Sequence, residues 1–311
     1  MPTHLTADPL RVTYQRDGYL VVDDLVDAET VRALRAETHA IATGERGAIL
    51  GADIVNAGAR GDEVLQRVLA IHFPHKASPV MRHMLSHPGI VEVLVSLLGP
   101  DVKCMQSMLF LKSAGKPGQA WHQDEHYIPT RDRSLVGVWI ALDDATLENG
   151  CLWMHPGSHA SGVIWPTRAH NDARFDHSEE SYGWPFPVEG GVPVVVRAGS
   201  VAFFNGYTLH RSLNNTAPTG FRRALVNHYM SARSMLPWRF AGKPRTDFRD
   251  IVLVAGEDPY AWRGLEEISF PFIRPEDPED PEMATRVYAR MPRTDGPTRP
   301  DPQTTEQADP S

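Results

Sequence analysis

The sequence predicts a mainly β protein, a sandwich or barrel buttressed by flanking helices, and three observations carry that prediction. Short apolar segments separated by turns rich in Gly, Pro, Asn and Asp fill the chain from residue 102 onward. Helix-like spacing of apolar residues is confined to residues 1–101. No helices alternate with the later strands, as a Rossmann-type sheet would require. Of the 311 residues, 41% are apolar, enough for one large core, and β-barrels of this size form single units. One domain is therefore expected over 1–274, with a helical part at 1–101 and a β core at 102–235.

Residues 18–26 read as a strand, and Asp27 follows in the position of a helix N-cap. Val31, Leu34, Ala40 and Ile41 recur at near-helical spacing, and Gly44 stops that helix. Residues 45–78 read as irregular. Two short helices are expected next, one around 79–85 and one at 88–98, with Pro88 in a first turn and Gly99-Pro100 ending the second. The strands are then 102–112, 135–142, 151–154, 194–196, 200–204 and 223–230. The run 135–142 is almost continuously apolar, so it should be buried on both faces. The stretch 160–192 is too long for an ordinary connection and reads as a lid or substrate loop. Residues 275–311 carry eight prolines, nine acidic and four basic residues, and are expected to be mostly disordered.

Charge and cysteine usage narrow the function. The formal net charge is −8, of which the last 37 residues supply −5, so the folded part is near neutral and offers nucleic acid no basic field. Cys104 and Cys151 form neither a Cys-x-x-Cys pair nor a disulfide scaffold and read as small buried hydrophobes of a reducing compartment. The first residues lack a charged start followed by an apolar run, so no signal peptide is expected, and no membrane span of about 18 apolar residues occurs. A cytoplasmic protein acting on a small molecule is the expectation; nothing in the chain fixes an oligomeric state.

The most informative segment is Trp121-His122-Gln123-Asp124-Glu125-His126-Tyr127. In an extended chain, residues two apart point the same way, so His122 and Asp124 can grip one ion. A His-x-acid pair is weak alone: composition predicts about two by chance, and His170-Asn171-Asp172 and His177-Ser178-Glu179 also occur, in a polar stretch that reads as solvated loop. The pair at 122 and 124 differs in following an apolar strand and in having a partner, His210, 88 residues downstream after the strand at 200–204. Two histidines and one carboxylate leave three coordination positions open, which is what an iron(II) oxygenase needs to take co-substrate and dioxygen together. Arg222 and Arg223 open the next strand, where an arginine could pair with the far carboxylate of a dicarboxylate such as 2-oxoglutarate. His126 would share the metal face if the strand continued. Tyr127 reads as core, His155 and His159 as structural residues around a turn, and His228 as a core histidine that satisfies a hydrogen bond.

At these residues the chain resembles the phytanoyl-CoA dioxygenase family, most clearly over 105–230. The family's His-Gln-Asp-x-His-Tyr-x-Pro segment appears at 122–129. Its Asn-Gly-Cys-Leu and Pro-Gly-Ser/Thr-His segments appear at 149–152 and 156–159, and its Phe-Arg-x-Ala at 221–224. The resemblance implies a double-stranded β-helix (a cupin-like jelly roll) over the β core, with 160–192 as an insertion. It also implies iron(II), with 2-oxoglutarate and dioxygen as co-substrates. Carried over, His122, Asp124 and His210 are the metal ligands. Arg222, with Ser212 beside it, binds the far carboxylate of 2-oxoglutarate, and Met108, Lys112, Gln123 and Trp139 surround the co-substrate. The spacing from His210 to Arg222 is one residue longer than usual, which leaves Arg223 open, and Arg211-Ser212 stands where the family often has Gly-Ser.

The expected reaction is hydroxylation of an unactivated C–H, with succinate and carbon dioxide as co-products. Asp124 fills the position that halogenating relatives of this chemistry leave for halide. Two other readings use the same residues: zinc or nickel in a non-redox reaction, or a binding protein without catalysis.

Overall fold

The computed structural model describes residues 9–187, 190–234, 251–264, 269–276, 280 and 282–291. Helix α1 (Pro9–Asp17) turns at Gly18 into strand β1 (Tyr19–Val22). Helix α2 (Ala28–Ala42) starts where Asp27 accepts the Thr30 backbone N–H at 2.8 Å, and it buries Val31, Leu34 and Ile41. Gly44, at φ 83°, lies just beyond its end. Residues 45–78 are more ordered than their sequence suggests. They hold α3 (Ala52–Val55), α4 (Asp62–Gln66), strand β2 (Val68–His72) and α5 (Pro74–Ala77). These pieces are four or five residues long, too short for periodicity to register. Helices α6 (Pro79–His83) and α7 (Pro88–Leu98) follow as expected, with Pro88 in the first turn of α7.

The β region comprises β3 (Val102–Ser113), β4 (Gln119–His122), β5 (Val136–Ala141), β6 (Leu152–Met154), the small hairpin β7 (Thr167–Arg168) and β8 (Glu180–Ser181), β9 (Val192–Val194), β10 (Val201–Asn205), β11 (His210–Ser212), β12 (Phe221–Ser231), β13 (Val252–Ala255) and β14 (Phe272–Pro275). A single helical turn, α8 (Asp124–Tyr127), interrupts it after β4. An eight-stranded sheet runs β1-β10-β5-β12-β3-β2-β14, with β13 pairing on β3; a four-stranded sheet runs β4-β11-β6-β9. The two sheets are the large and small walls of a jelly roll. As its apolar run predicts, β5 is buried throughout, between β10 and β12.

Period-two alternation sorts the long strands. On β12, Leu225 and Tyr229 enter the main core with Leu109 and Leu111 of β3. The opposite faces carry Arg222, Val226 and His228 from β12 and Gln106, Met108 and Lys112 from β3, and these line an internal cavity. Register sets Arg222 against Lys112, Val226 against Met108 and His228 against Gln106.

Within the tail expected to be mostly disordered, one described segment is helical. Helix α9 (Met283–Tyr288) buries Met283 and Val287, and Val287 packs over Gly51. Two apolar residues four apart carry this contact, a signal lost among the surrounding prolines and charges; residues 277–279, 281 and 292–311 of the tail lie outside the described residues. Both cysteines are buried, and neither is in a disulfide. Among the described residues no helix is long and apolar enough to cross a membrane.

Candidate active site

The small sheet brings the distant histidines together. Strands β4 and β11 pair antiparallel, with His210 directly across from His122. The ring centroids are 4.0 Å apart. Asp124 arrives differently from the continuing strand expected. Gln123 is still extended, at φ −128° and ψ 127°, but Asp124 is the first residue of α8. The extended residue between them keeps His122 and Asp124 on one side. The helical turn then rotates His126 and Tyr127 outward; His126 is exposed, and Tyr127, 42% exposed rather than core, stands at the cavity mouth.

One ligand atom from each of His122, Asp124 and His210 lies within 4.8 Å of the others, and all three residues are buried. Asp124 Oδ1 is 3.8 Å from His122 Nε2 and 3.6 Å from His210 Nε2, longer than hydrogen bonds. The tautomers follow from the far ring atoms. His122 Nδ1 donates to the Ala120 carbonyl at 2.8 Å and His210 Nδ1 to the Thr208 carbonyl at 3.0 Å. With Nδ1 so engaged, the atom each ring turns toward the carboxylate oxygen is Nε2, which carries the lone pair in this tautomer. Three acceptors converging with no donor between them suit a cation. Burial pushes the His122 imidazole down to about 3, keeping it in the neutral, ligating form. Burial also raises the Asp124 carboxyl, but the His210, His228 and His122 imidazoles outweigh that and hold it below the usual carboxylate range.

His228 meets the expectation of a hydrogen-bonded core histidine, and its partner matters: Nε2 lies 3.1 Å from Asp124 Oδ2. It fixes the carboxylate so that Oδ1 is the free oxygen. His228→Phe is expected to weaken iron(II) binding by about 10–100-fold while the protein still folds. Equilibrium dialysis of iron(II) against wild type and variant measures this, and equal affinity would refute an orienting role.

The other predicted positions separate clearly. Arg222, Lys112, Met108, Trp139 and Ser212 all line a cavity of about 450 Å³ that also contains the His122, Asp124 and His210 cluster. Arg222 is 3% exposed, its guanidinium lies 5.6 Å from the Trp139 ring centroid, and its Nε has no hydrogen-bond partner. Burial pushes it down to about 10, so it stays charged at neutral pH. Lys112 donates to Ser212 Oγ at 2.9 Å and to the Leu213 carbonyl; burial first, then Arg222, pushes its ammonium well below the ordinary lysine range. Arg223 points to the other side of β12, where Asp143 holds it through two bonds of 2.8 Å. Strand parity thus turns Arg222, and not Arg223, toward the cavity.

Gln123 is a correction. Its side chain does not line the cavity. Nε2 donates to the Val163 and Tyr207 carbonyls at 2.9 and 2.7 Å, and Oε1 accepts the Trp165 N–H at 2.8 Å. Three backbone groups occupy this amide, which fastens the 160–192 insertion to the metal segment. His155 bonds the Pro187 carbonyl and His159 the Gln15 carbonyl, both structural contacts. Asp172 is ion-paired with Arg174 on the surface. Sequence reasoning missed Asp176, Arg274 and Phe272 in the cavity wall, and no motif marks them.

The family model described as Phytanoyl-CoA dioxygenase (PhyH) matches residues 14–224. Phytanoyl-CoA dioxygenase 1 of Oryza sativa subsp. japonica is 30% identical over 254 residues, covering 72% of this chain and 88% of that protein. Phytanoyl-CoA dioxygenase of Arabidopsis thaliana is 39% identical over 149 residues, which span 46% of this chain and 50% of that protein. Among solved structures, the α-ketoglutarate-dependent carbocyclase SnoK from nogalamycin biosynthesis superposes with a TM-score of 0.58 at 26% identity, covering 82% of this chain and 100% of that one.

Proposed function

The chain belongs to the phytanoyl-CoA dioxygenase family, and from that premise we propose that it is an iron(II)- and 2-oxoglutarate-dependent oxygenase that hydroxylates an unactivated C–H of a small organic substrate. The observation that carries this reading is a pairing within one cavity. A three-acceptor cluster suited to a divalent cation shares its enclosure with a buried guanidinium that no carboxylate among the described residues neutralises.

In this reading His122 Nε2, Asp124 Oδ1 and His210 Nε2 would hold the metal, a two-imidazole, one-carboxylate set of the kind that suits an iron(II) oxygenase. The Ala120 and Thr208 carbonyls keep both imidazoles in the ligating tautomer, and His228 keeps Asp124 turned toward them. Arg222 takes the far carboxylate of 2-oxoglutarate. Lys112 and Ser212, already bonded to each other, add donors and charge at that end. Trp139 and Met108 wall the co-substrate and exclude water, which strengthens each of these interactions. Bound iron(II) supplies oxidation by dioxygen coupled to decarboxylation of 2-oxoglutarate, one oxygen atom leaving in succinate and the other in the product hydroxyl. The carbocyclase similarity keeps ring formation as a second outcome of the same oxidation.

The test is direct. Anaerobic protein given iron(II) and 2-oxoglutarate should develop a weak visible charge-transfer band. Admitting oxygen with substrate should then release succinate and a product heavier by one oxygen atom. A band absent and succinate absent across a broad substrate set would favour non-redox chemistry at these ligands; a product lighter by two hydrogens would favour ring formation or desaturation.

A further inference from the structure

Part of the cavity wall comes from outside the span of the family match. Phe272 and Arg274, two residues apart on β14, both line it, and residue 272 lies well beyond residue 224. His72 of the neighbouring strand β2 stacks on Phe272, with centroids 4.3 Å apart and rings 6° from parallel. The polar group of this wall is Arg274, whose Nη2 donates to Asp176 Oδ2 at 2.7 Å. Asp176 belongs to the 160–192 insertion, and its backbone N–H is tied to the Gly118 carbonyl at 2.8 Å, just before β4. The ion pair therefore spans from the strand that carries His122 to the edge strand of the large sheet.

The two partners of this pair are unequally satisfied. Asp176 Oδ1 already accepts the Ser178 N–H and hydroxyl, and Oδ2 accepts Arg274. Arg274 has five N–H donors and, among the described residues, spends one of them, on Asp176. The remaining donors belong to a group that lines the cavity. The charge balance there points the same way. Lining cations (Lys112, Arg211, Arg222, Arg274) outnumber lining carboxylates (Asp124, Asp176). Iron(II) and the 2-oxoglutarate dianion add no net charge between them. Arg222 and Lys112 serve the co-substrate, so the surplus left for an anion rests on Arg211 and on Arg274, which shares its charge with Asp176 but keeps donors to spare. The rest of this wall is apolar or aromatic, with Phe73, Tyr127, Ile128 and Phe272.

We propose that Arg274 anchors the primary substrate through a carboxylate, and that the substrate class is a small, largely apolar carboxylic acid. Asp176 holds the guanidinium in place as a positioning residue. The proposal rests on the oxygenase reading above. The cavity, at the small end of ligand pockets, must also hold the co-substrate, so the acid is compact. An arginine fork matches a carboxylate in two parallel bonds, a preference that the corresponding amide cannot share.

The experiment uses the full chain, loaded anaerobically with iron(II) and 2-oxoglutarate and titrated with matched pairs: phenylpropanoate and phenylpropanamide, hexanoate and hexanamide, N-acetylphenylalanine and its amide. Binding is read by calorimetry and by perturbation of the charge-transfer band. At least one acid should bind about tenfold or more tightly than its amide, the scale of one charge-assisted bidentate pair. Arg274→Gln should erase that preference and leave 2-oxoglutarate affinity within about twofold. Arg274→Lys should keep a reduced preference and decides the matter if the glutamine variant does not fold. Asp176→Asn should retain the preference. No acid preferred by the wild type, or a preference unchanged in both Arg274 variants, overturns the anchor. Failure to form the band at all sinks the oxygenase reading instead, so the two failures are separable.

Discussion

His210→Ala is expected to lose iron(II) and turnover together, by well over the roughly 10–100-fold that removing an outer-shell partner costs. The reason is geometric. His122 and Asp124 are near neighbours in sequence and can hold a cation loosely, but His210 alone supplies a ligand from the facing strand β11. The residue is 4% exposed and its Nδ1 is spent on the Thr208 carbonyl, so Nε2 is the atom it offers the metal. His228, the nearest alternative imidazole, is committed to Asp124 Oδ2. Metal content after gel filtration, the charge-transfer band and succinate release form the measurement, with circular dichroism to confirm folding. His210→Gln keeps side-chain volume and a donor–acceptor tip, and should fail in the same assays with less effect on stability. Wild-type iron content and succinate release in either variant would place the third ligand elsewhere.

The second large effect separates the two neighbouring arginines. Arg222→Gln should raise the KM for 2-oxoglutarate by about 30-fold to several thousand-fold, the range set by the roughly 2–5 kcal/mol lost when a buried charge pair is cut on one side. Arg223→Gln should leave that KM within about twofold and instead lower the melting temperature. It removes two charge-assisted bonds from Asp143, which keeps Arg35 at 3.1 Å and the backbone N–H of residue 223 at 2.9 Å, so the cost is about 1–2 kcal/mol. The KM-against-stability split is the readout. A 2-oxoglutarate KM that follows Arg223 rather than Arg222 would reverse the assignment and require β12 to be read in the opposite parity.

Much of this was legible because it is local. Asp27 caps α2 through a contact three residues away, and an unbroken apolar run marks β5 as buried on both faces. The candidate ligands were legible too, since His122 and Asp124 are separated by one extended residue. What was missed depends on pairing between distant segments. Strand β2 is five residues that acquire a role only between β3 and β14, and β14 is recruited from beyond residue 270. Gln123, adjacent to both candidate ligands in sequence, is drawn away from the cavity by three backbone groups of other loops.

Residue types and their spacing alone pointed to a sandwich or barrel, to the histidines and carboxylate as candidate ligands, and to a basic residue at the start of β12, while the jelly-roll class came from the family resemblance. Only the tertiary structure decided which arginine faces the cavity, that His228 steadies Asp124, and that Arg274 and Asp176 close one wall. The physical reason is the range of the forces involved. Capping, alternation and burial are fixed within a few residues of chain. Cavity walls, by contrast, are written by strand register and side-chain pairing between segments that meet only after the whole sheet has formed.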